Sequence, residues 1–339
     1  MSEWRRPGTS TRKLCVVIAV GSVFFEAMPA LAQPADLLQL TRTIVLPDVR
    51  GRIDHLSVDL DSGRLFVAAL GNNTVEVVDL RARRRSARLE HLRAPQGVAY
   101  VPDAKRLFVA SGGSGTVHVF AGDTLAPLGD IKALDDADNV RYEPVSGRVY
   151  VGYGSALAVL SARTMQLESR IKLAGHPESF QLDGNGSRIF VNVPNAQQIA
   201  VVDRARGSVV STWDVGETRA NFPMALDEVS HRLFVGTRGP AALLVFDTES
   251  GRRIASVPIG GDADDLFFDG ARKRIYAICG EGLITVIQQQ DADRYVGIGK
   301  VTTAPGARTG LFVPIERTLY VAVPAQPSAR AEIRAYTVE

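Results

Sequence analysis

The sequence is poor in cysteine, tryptophan and histidine, with 2, 2 and 5 in 339 residues. Cys15 falls within the first 32 residues, so Cys279 stands alone in the remainder and no internal disulfide is open to it. The same scarcity excludes a zinc finger, a many-histidine copper cluster and a Cys-x-x-Cys-His haem attachment. Neither a Gly-x-Ser-x-Gly elbow nor a phosphate loop occurs, and Gly112-Gly113-Ser114-Gly115 reads as a turn. An excess of one charge is missing too: the formal net charge of +2 gives no field for nucleic acid. Sustained helical periodicity is absent.

The N-terminal 32 residues read as an export signal. Arg5, Arg6, Arg12 and Lys13 precede an apolar run from Leu14 to Phe25, and Ala30-Leu31-Ala32 supplies a small-x-small cleavage site before Gln33. The run of 12 residues is short of the roughly 20 that a membrane span needs. Pro7 spoils a twin-arginine match, so a general secretory signal is expected. Cleavage removes four basic and two acidic residues, leaving 39−4 = 35 and 37−2 = 35, a net of zero. A periplasmic or secreted protein without a membrane span follows, organised as 1–32 signal and 33–339 one domain.

What the chain has is a repeat. Seven segments share an apolar strand, an acidic turn, an arginine and a second apolar strand with a central aromatic, as in HLSVDLDSGRLFVAAL and NVRYEPVSGRVYVGYG. The aromatics are Phe66, Phe108, Tyr150, Phe190, Phe234, Tyr276 and Tyr320, spaced by 42, 42, 40, 44, 42 and 44 residues. That period is one four-stranded propeller blade of roughly 40–45 residues. A third strand such as TVEVVDL and a fourth, more polar one such as RSARLEH complete each blade except the last. The seventh stops after a third strand near Glu332–Thr337, and the segment 41–46 is the free strand that can complete it. The expectation is an all-β, seven-bladed propeller closed by its N-terminal strand.

Leu65-Phe66-Val67 with Asn72-Asn73 and Val77-Val78-Asp79, and Ile189-Phe190-Val191-Asn192 with Val201-Val202-Asp203, resemble the YVTN-type β-propeller repeat family. The resemblance covers nearly the whole chain after residue 32. It implies the fold and says little of chemistry.

Two recurring positions read as scaffold. Arginine stands two residues before the aromatic in six repeats, and an acid seven before it in five (Asp59, Glu143, Asp183, Asp227, Asp269). The acid can cap the hairpin's backbone donors and face the arginine.

The informative position breaks the rule. Twelve residues before the aromatic, at the entry of the innermost strand, stand Asp54, Gln96, Asp138, Glu178, Phe222, Asp264 and Arg308. The next position adds His55, Asn139 and Asp265. Positions ten and eight before the aromatic are mostly apolar and pack between blades, so polar groups gather at one mouth of the channel. With His176, in Gly175-His176-Pro177-Glu178, these make the candidate ligand-binding set. The acids suit Ca²⁺, Mg²⁺ or a cationic ligand, or else they cap loop turns. No spacing in the sequence names a metal site.

The expected function is recognition of a small molecule or a periplasmic protein at this mouth, with no assembled nucleophile and base. The alternative is a metal-assisted lactone hydrolase or lyase using His55 or His176 with the acids. Export and the family likeness also fit a partner of a periplasmic redox enzyme.

Overall fold

The computed structural model describes residues 1–4 and 37–339, so most of the predicted export signal, with its cleavage point, lies outside the described residues. Strand β1 (Leu38–Leu46) comes first. Blade 1 is β2 (Leu56–Asp59), β3 (Arg64–Ala69), β4 (Thr74–Asp79) and β5 (Arg84–Leu89). Blade 2 is β6 (Pro95–Val101), β7 (Arg106–Ser111), β8 (Thr116–Ala121) and β9 (Pro127–Ile131). Blade 3 is β10 (Val140–Glu143), β11 (Arg148–Tyr153), β12 (Ala156–Ser161) and β13 (Leu167–Lys172). Blade 4 is β14 (Phe180–Leu182), β15 (Arg188–Val193), β16 (Gln198–Asp203) and β17 (Ser208–Asp214). Blade 5 is β18 (Arg219–Asp227), β19 (Arg232–Gly239), β20 (Ala241–Asp247) and β21 (Arg253–Pro258). Blade 6 is β22 (Ala263–Asp269), β23 (Arg274–Cys279), β24 (Leu283–Gln289) and β25 (Tyr295–Thr302). Blade 7 takes β26 (Gly310–Val313), β27 (Thr318–Val323) and β28 (Ala331–Val338), and β1 is its fourth strand.

Every blade is an antiparallel meander, and the innermost strands β2, β6, β10, β14, β18, β22 and β26 touch in turn all the way round to β2. The ring closes as the sequence implies, with one extension. Pairing of β1 with β28 starts at Leu38↔Val338, three residues before the expected strand, and runs to Leu46↔Ala331. Leu38 is buried against blade 6, which is why the strand reaches further.

The core is layered rather than central. Seven apolar clusters fill the seven gaps between neighbouring blades. Each repeat aromatic faces the gap on its C-terminal side: Phe66 packs against blade 2 and Tyr320 against blade 1. All seven are at most 2% exposed, so the repeat spacing is the spacing of the ring's wedges.

The recurring hairpin residues pair as expected in two blades, Arg64 with Asp59 at 3.0 Å and Arg188 with Asp183 at 3.2 Å, but not in the others. The acids do cap their turns, as where Glu143 accepts from the Val145 and Ser146 amides at 2.9 and 3.0 Å. The arginines mostly reach onward to the next blade. Arg106 donates to Ala162 O (2.7 Å), Arg188 to Thr248 O (2.6 Å), Arg232 to Ala292 O (2.8 Å) and Arg274 to Glu339 O (2.5 Å). Arg64 likewise donates to Gly122 O and Asp123 O. Arg148 is the exception and pairs with Glu168 of its own blade at 2.8 Å. A guanidinium with several donors suits this task, because loop carbonyls accept and need no matched charge.

At the seam between blades 7 and 1, Thr318 replaces the arginine. There, fully buried Glu76 binds Arg85 (3.2 Å) and Arg88 (2.8 Å), and both arginines donate to Pro47 O just beyond β1.

Candidate functional site: the mouth of the central channel

The repeat places its entry residues by backbone register. Asp54 N donates to Ala68 O (2.7 Å), Asp138 N to Gly152 O (2.9 Å) and Glu178 N to Asn192 O (3.0 Å). These equivalent bonds tie the entry of each innermost strand to its neighbour, so the three carboxylates enter the mouth at one level. Gly97 allows blade 2 to come close: a Cβ there would lie 2.0 Å from Asp138 O. Any side chain would force that backbone apart.

One wall draws on blades 1 and 6. Asp54 is 1% exposed, and neither carboxylate oxygen accepts a well-oriented hydrogen bond among the described residues. Arg52 Nη2 stands 2.9 Å from Asp54 and 3.3 Å from Asp264, forming ion pairs. Asp264 is held further by Arg238 Nη2 at 2.6 Å, and the Arg238 guanidinium lies 4.3 Å from the centre of the Phe222 ring. His55 sits between two acids, its Nδ1 3.4 Å from Asp265 and its Nε2 3.7 Å from Asp54. Burial alone would lower the imidazole's pKa, but the Asp265 and Asp54 carboxylates outweigh it and raise it to about 10. Burial raises Asp54 to about 7, against the pull of His55 and Arg52. Asp265 also accepts from Gly310 N at 2.9 Å, which ties blade 6 to blade 7.

The other wall draws on blades 3 and 4. Asp138, His176 and Glu178 each offer one ligand atom, and these atoms lie within 4.8 Å of one another. His176 Nδ1 donates to Gly154 O at 3.2 Å, and its Nε2 stands 3.9 Å from Asp138 Oδ2. The Asp138 carboxylate raises the His176 pKa against desolvation. Burial, reinforced by Asp138, raises Glu178 to about 7. Beside His176 and Glu178 opens a depression of 690 Å³ that Asp136, Arg219 and Phe222 also line.

The predicted residues therefore fall into two groups. Asp54, His55, Asp264 and Asp265 converge on one wall, and Asp138, His176 and Glu178 on the other. Gln96 donates to Asp136 at 3.3 Å and so supports the second wall. Asn139 is 2% exposed behind Asp138. Arg308 pairs with Asp262 at 3.0 Å. Blade 6 contributes nothing to the three-ligand group, as expected for clusters standing across the ring.

Sequence reasoning missed the channel below. Nine residues before each repeat aromatic stand Ser57, Ala99, Arg141, Gln181, Ala225, Phe267 and Leu311, and these line a cavity of 420 Å³. Its one arginine among these positions, Arg141, donates to Val140 O at 3.0 Å and lies 5.7 Å from the centre of the Phe180 ring. Burial lowers its pKa, with Asp265 and Asp138 pulling the other way. The signal was a charge between apolar positions ten and eight, which alternation turns toward the axis.

These blades and this mouth define a seven-bladed β-propeller with a charged, partly buried channel entry. Two solved structures share the fold. One is the hydrazine synthase of Kuenenia stuttgartiensis, at TM-score 0.72 and 18% identity over 82% of this chain and 94% of that one. The other is a chain of a mitotic checkpoint complex, at TM-score 0.75 and 13% identity over 97% and 99%. At such identities the likeness is one of fold. In sequence, the chain is 28% identical over 204 residues to the uncharacterized protein YncE of Salmonella typhimurium strain LT2, covering 58% of this chain. It spans about half the length of that relative, 54%. No family model matches the chain.

Proposed function

We propose that this propeller is an exported recognition module, of YVTN type, that holds a small molecule or a periplasmic partner at the channel mouth. Residues 1–32 would direct export, and 33–339 would form the working domain. Among the described residues no helix is long and apolar enough to cross a membrane. One observation carries the reading. On a scaffold whose other polar repeats are capped and braced, the mouth keeps Asp54 at 1% exposure with neither carboxylate oxygen hydrogen-bonded among the described residues. Buried carboxylates left so are costly to the fold and gain their partners on binding. The test is a thermal-shift screen of a metabolite library together with photo-crosslinking in periplasmic extract. Hits should vanish in an Asp138→Asn, Glu178→Gln, Asp264→Asn variant that melts normally; an unchanged hit set would refute the reading.

A second reading, metal-assisted hydrolase or lyase chemistry, draws support from the convergence of His176 with two carboxylates. It requires turnover that a chelator abolishes and added metal restores.

A further inference from the structure

We infer that Asp138, His176 and Glu178 form a binding site for a divalent transition-metal ion of the zinc class, with coordination positions left open toward the neighbouring depression. This deepens the recognition reading, since the ion would be part of the recognising surface.

Three observations support the inference beyond the clustering of acids. First, the donor set is mixed. One imidazole nitrogen and two carboxylates with atoms within 4.8 Å match a three-ligand site. Imidazole favours zinc, nickel, copper or iron, whereas Ca²⁺ and Mg²⁺ take oxygen alone. The histidine therefore shifts the choice away from the hard cations that the acids by themselves suggest.

Second, the imidazole is set for ligation. A carbonyl oxygen only accepts, so Nδ1 must be the donor in the 3.2 Å contact with Gly154 O. In the neutral ring this leaves the lone pair on Nε2, the atom that faces Asp138 at 3.9 Å. A second hydrogen bond that fixes tautomer and ring orientation is the usual support of a ligating histidine.

Third, Asp138 is 7% exposed and its Oδ2 faces His176 Nε2 at 3.9 Å, a separation that leaves room for an ion between the two atoms. The backbones of Asp138 and Glu178 are pinned to adjacent strands at 2.9 and 3.0 Å. Two of the three ligands thus sit on rigid elements and need little rearrangement.

The depression of 690 Å³ on the open side of the cluster is lined by Arg219 and Phe222. An ion here would leave room for an exogenous anion between itself and Arg219.

The experiment is calorimetric titration of ZnCl₂ into the exported protein after chelator treatment and dialysis. One equivalent per chain should bind. His176→Asn, Glu178→Gln and Asp138→Asn should each weaken binding about 10- to 100-fold or more. His118→Ala, in the separate His118–Asp130 pair at 2.8 Å, should leave it unchanged. Millimolar CaCl₂ should not displace the zinc. Each variant is checked by its thermal melt, and any that melts abnormally is replaced by Glu178→Asp, which keeps the charge and withdraws the ligand. Absence of one-to-one binding, equal binding by the three variants, or displacement by calcium overturns the inference. If zinc binding is absent but mouth-dependent capture persists, only the ion is refuted. If zinc binds and mouth variants leave capture unchanged, the recognition reading fails instead.

Discussion

Removing the buried methyl groups of the closing strand should open a specific hole in the ring. Ile44 and Leu46 are 2% and 0% exposed and pack with Leu65, Val67, Tyr320 and Ile333 in the layer between blades 7 and 1. Val45 lies between them on the other face and is 42% exposed. Leu46→Ala loses the transfer energy of its buried carbons and leaves a cavity, since the layer is bounded by two sheets that cannot both collapse. A cost of about 2–5 kcal/mol follows, with a similar range for Ile44→Ala. Val45→Ala should stay within about 0.5 kcal/mol. The two buried sites share neighbours, so the double variant should depart from the sum. Equilibrium unfolding in urea, with the slope compared across variants, reads these values. If Leu46→Ala costs less than about 1 kcal/mol, or Val45→Ala costs as much, β1 is not the strand that closes the ring and the register is wrong.

Two further outcomes follow from buried charge. Glu76→Ala should destabilise by about 1–3 kcal/mol, because it removes the acceptor that Arg85, Arg88 and Thr74 share; the same urea assay measures it, and a loss below about 0.5 kcal/mol would contradict the ion cluster. His55 titrates near 6.5 when unfolded and about 10 when folded, facing Asp54, Asp265 and, further off, Asp138. Its contribution to stability is therefore complete below about 6.5, fades as pH rises toward 10 and is gone above it, at up to about 1.4 kcal/mol per pH unit. Asp54, raised from 3.8 to about 7, acts in the same sense at lower pH. Unfolding free energies between pH 6 and 10 should fall more steeply for the native chain than for His55→Asn, and parallel curves would refute the assignment.

The ring was legible because its geometry is written as a period. A wedge aromatic every 40 to 44 residues specifies both the blade and the layer it fills. The unpaired third strand near residue 337 likewise announced its partner at 41–46. The arginines were harder. A residue two places before Phe66 or Phe190 looks local in sequence, and only the ring brings the next blade's turn within reach of Arg64 and Arg188. The mouth was legible as a list of entry residues, since register fixes which position faces it. Their division into two walls was not, because it depends on which blades are neighbours and on charges outside the entry positions, such as Arg52 and, on β19, Arg238. Arg141 escaped for a simpler reason. Attention fell on the apolar positions at ten and eight, while the one between them faces the axis.

The missing arginine at Thr318 gives the ring a preferred place to part. Six gaps lie between blades consecutive in the chain, and most carry a one-way guanidinium strut. The seventh joins residues far apart in the chain, Thr309 of blade 7 meeting Ile53 of blade 1 across 256 residues. Closing so long a loop costs about 3 kcal/mol more than closing one of ten residues. Parted there, the ring becomes a split washer whose remaining blades still hold one another. The split also runs through the site: Thr309 of blade 7 donates to Ile53 O at 3.1 Å, beside Asp54 and His55. The latch that sets the washer's diameter and the first wall of its opening are therefore the same few residues, and whatever grips that wall also holds the latch shut.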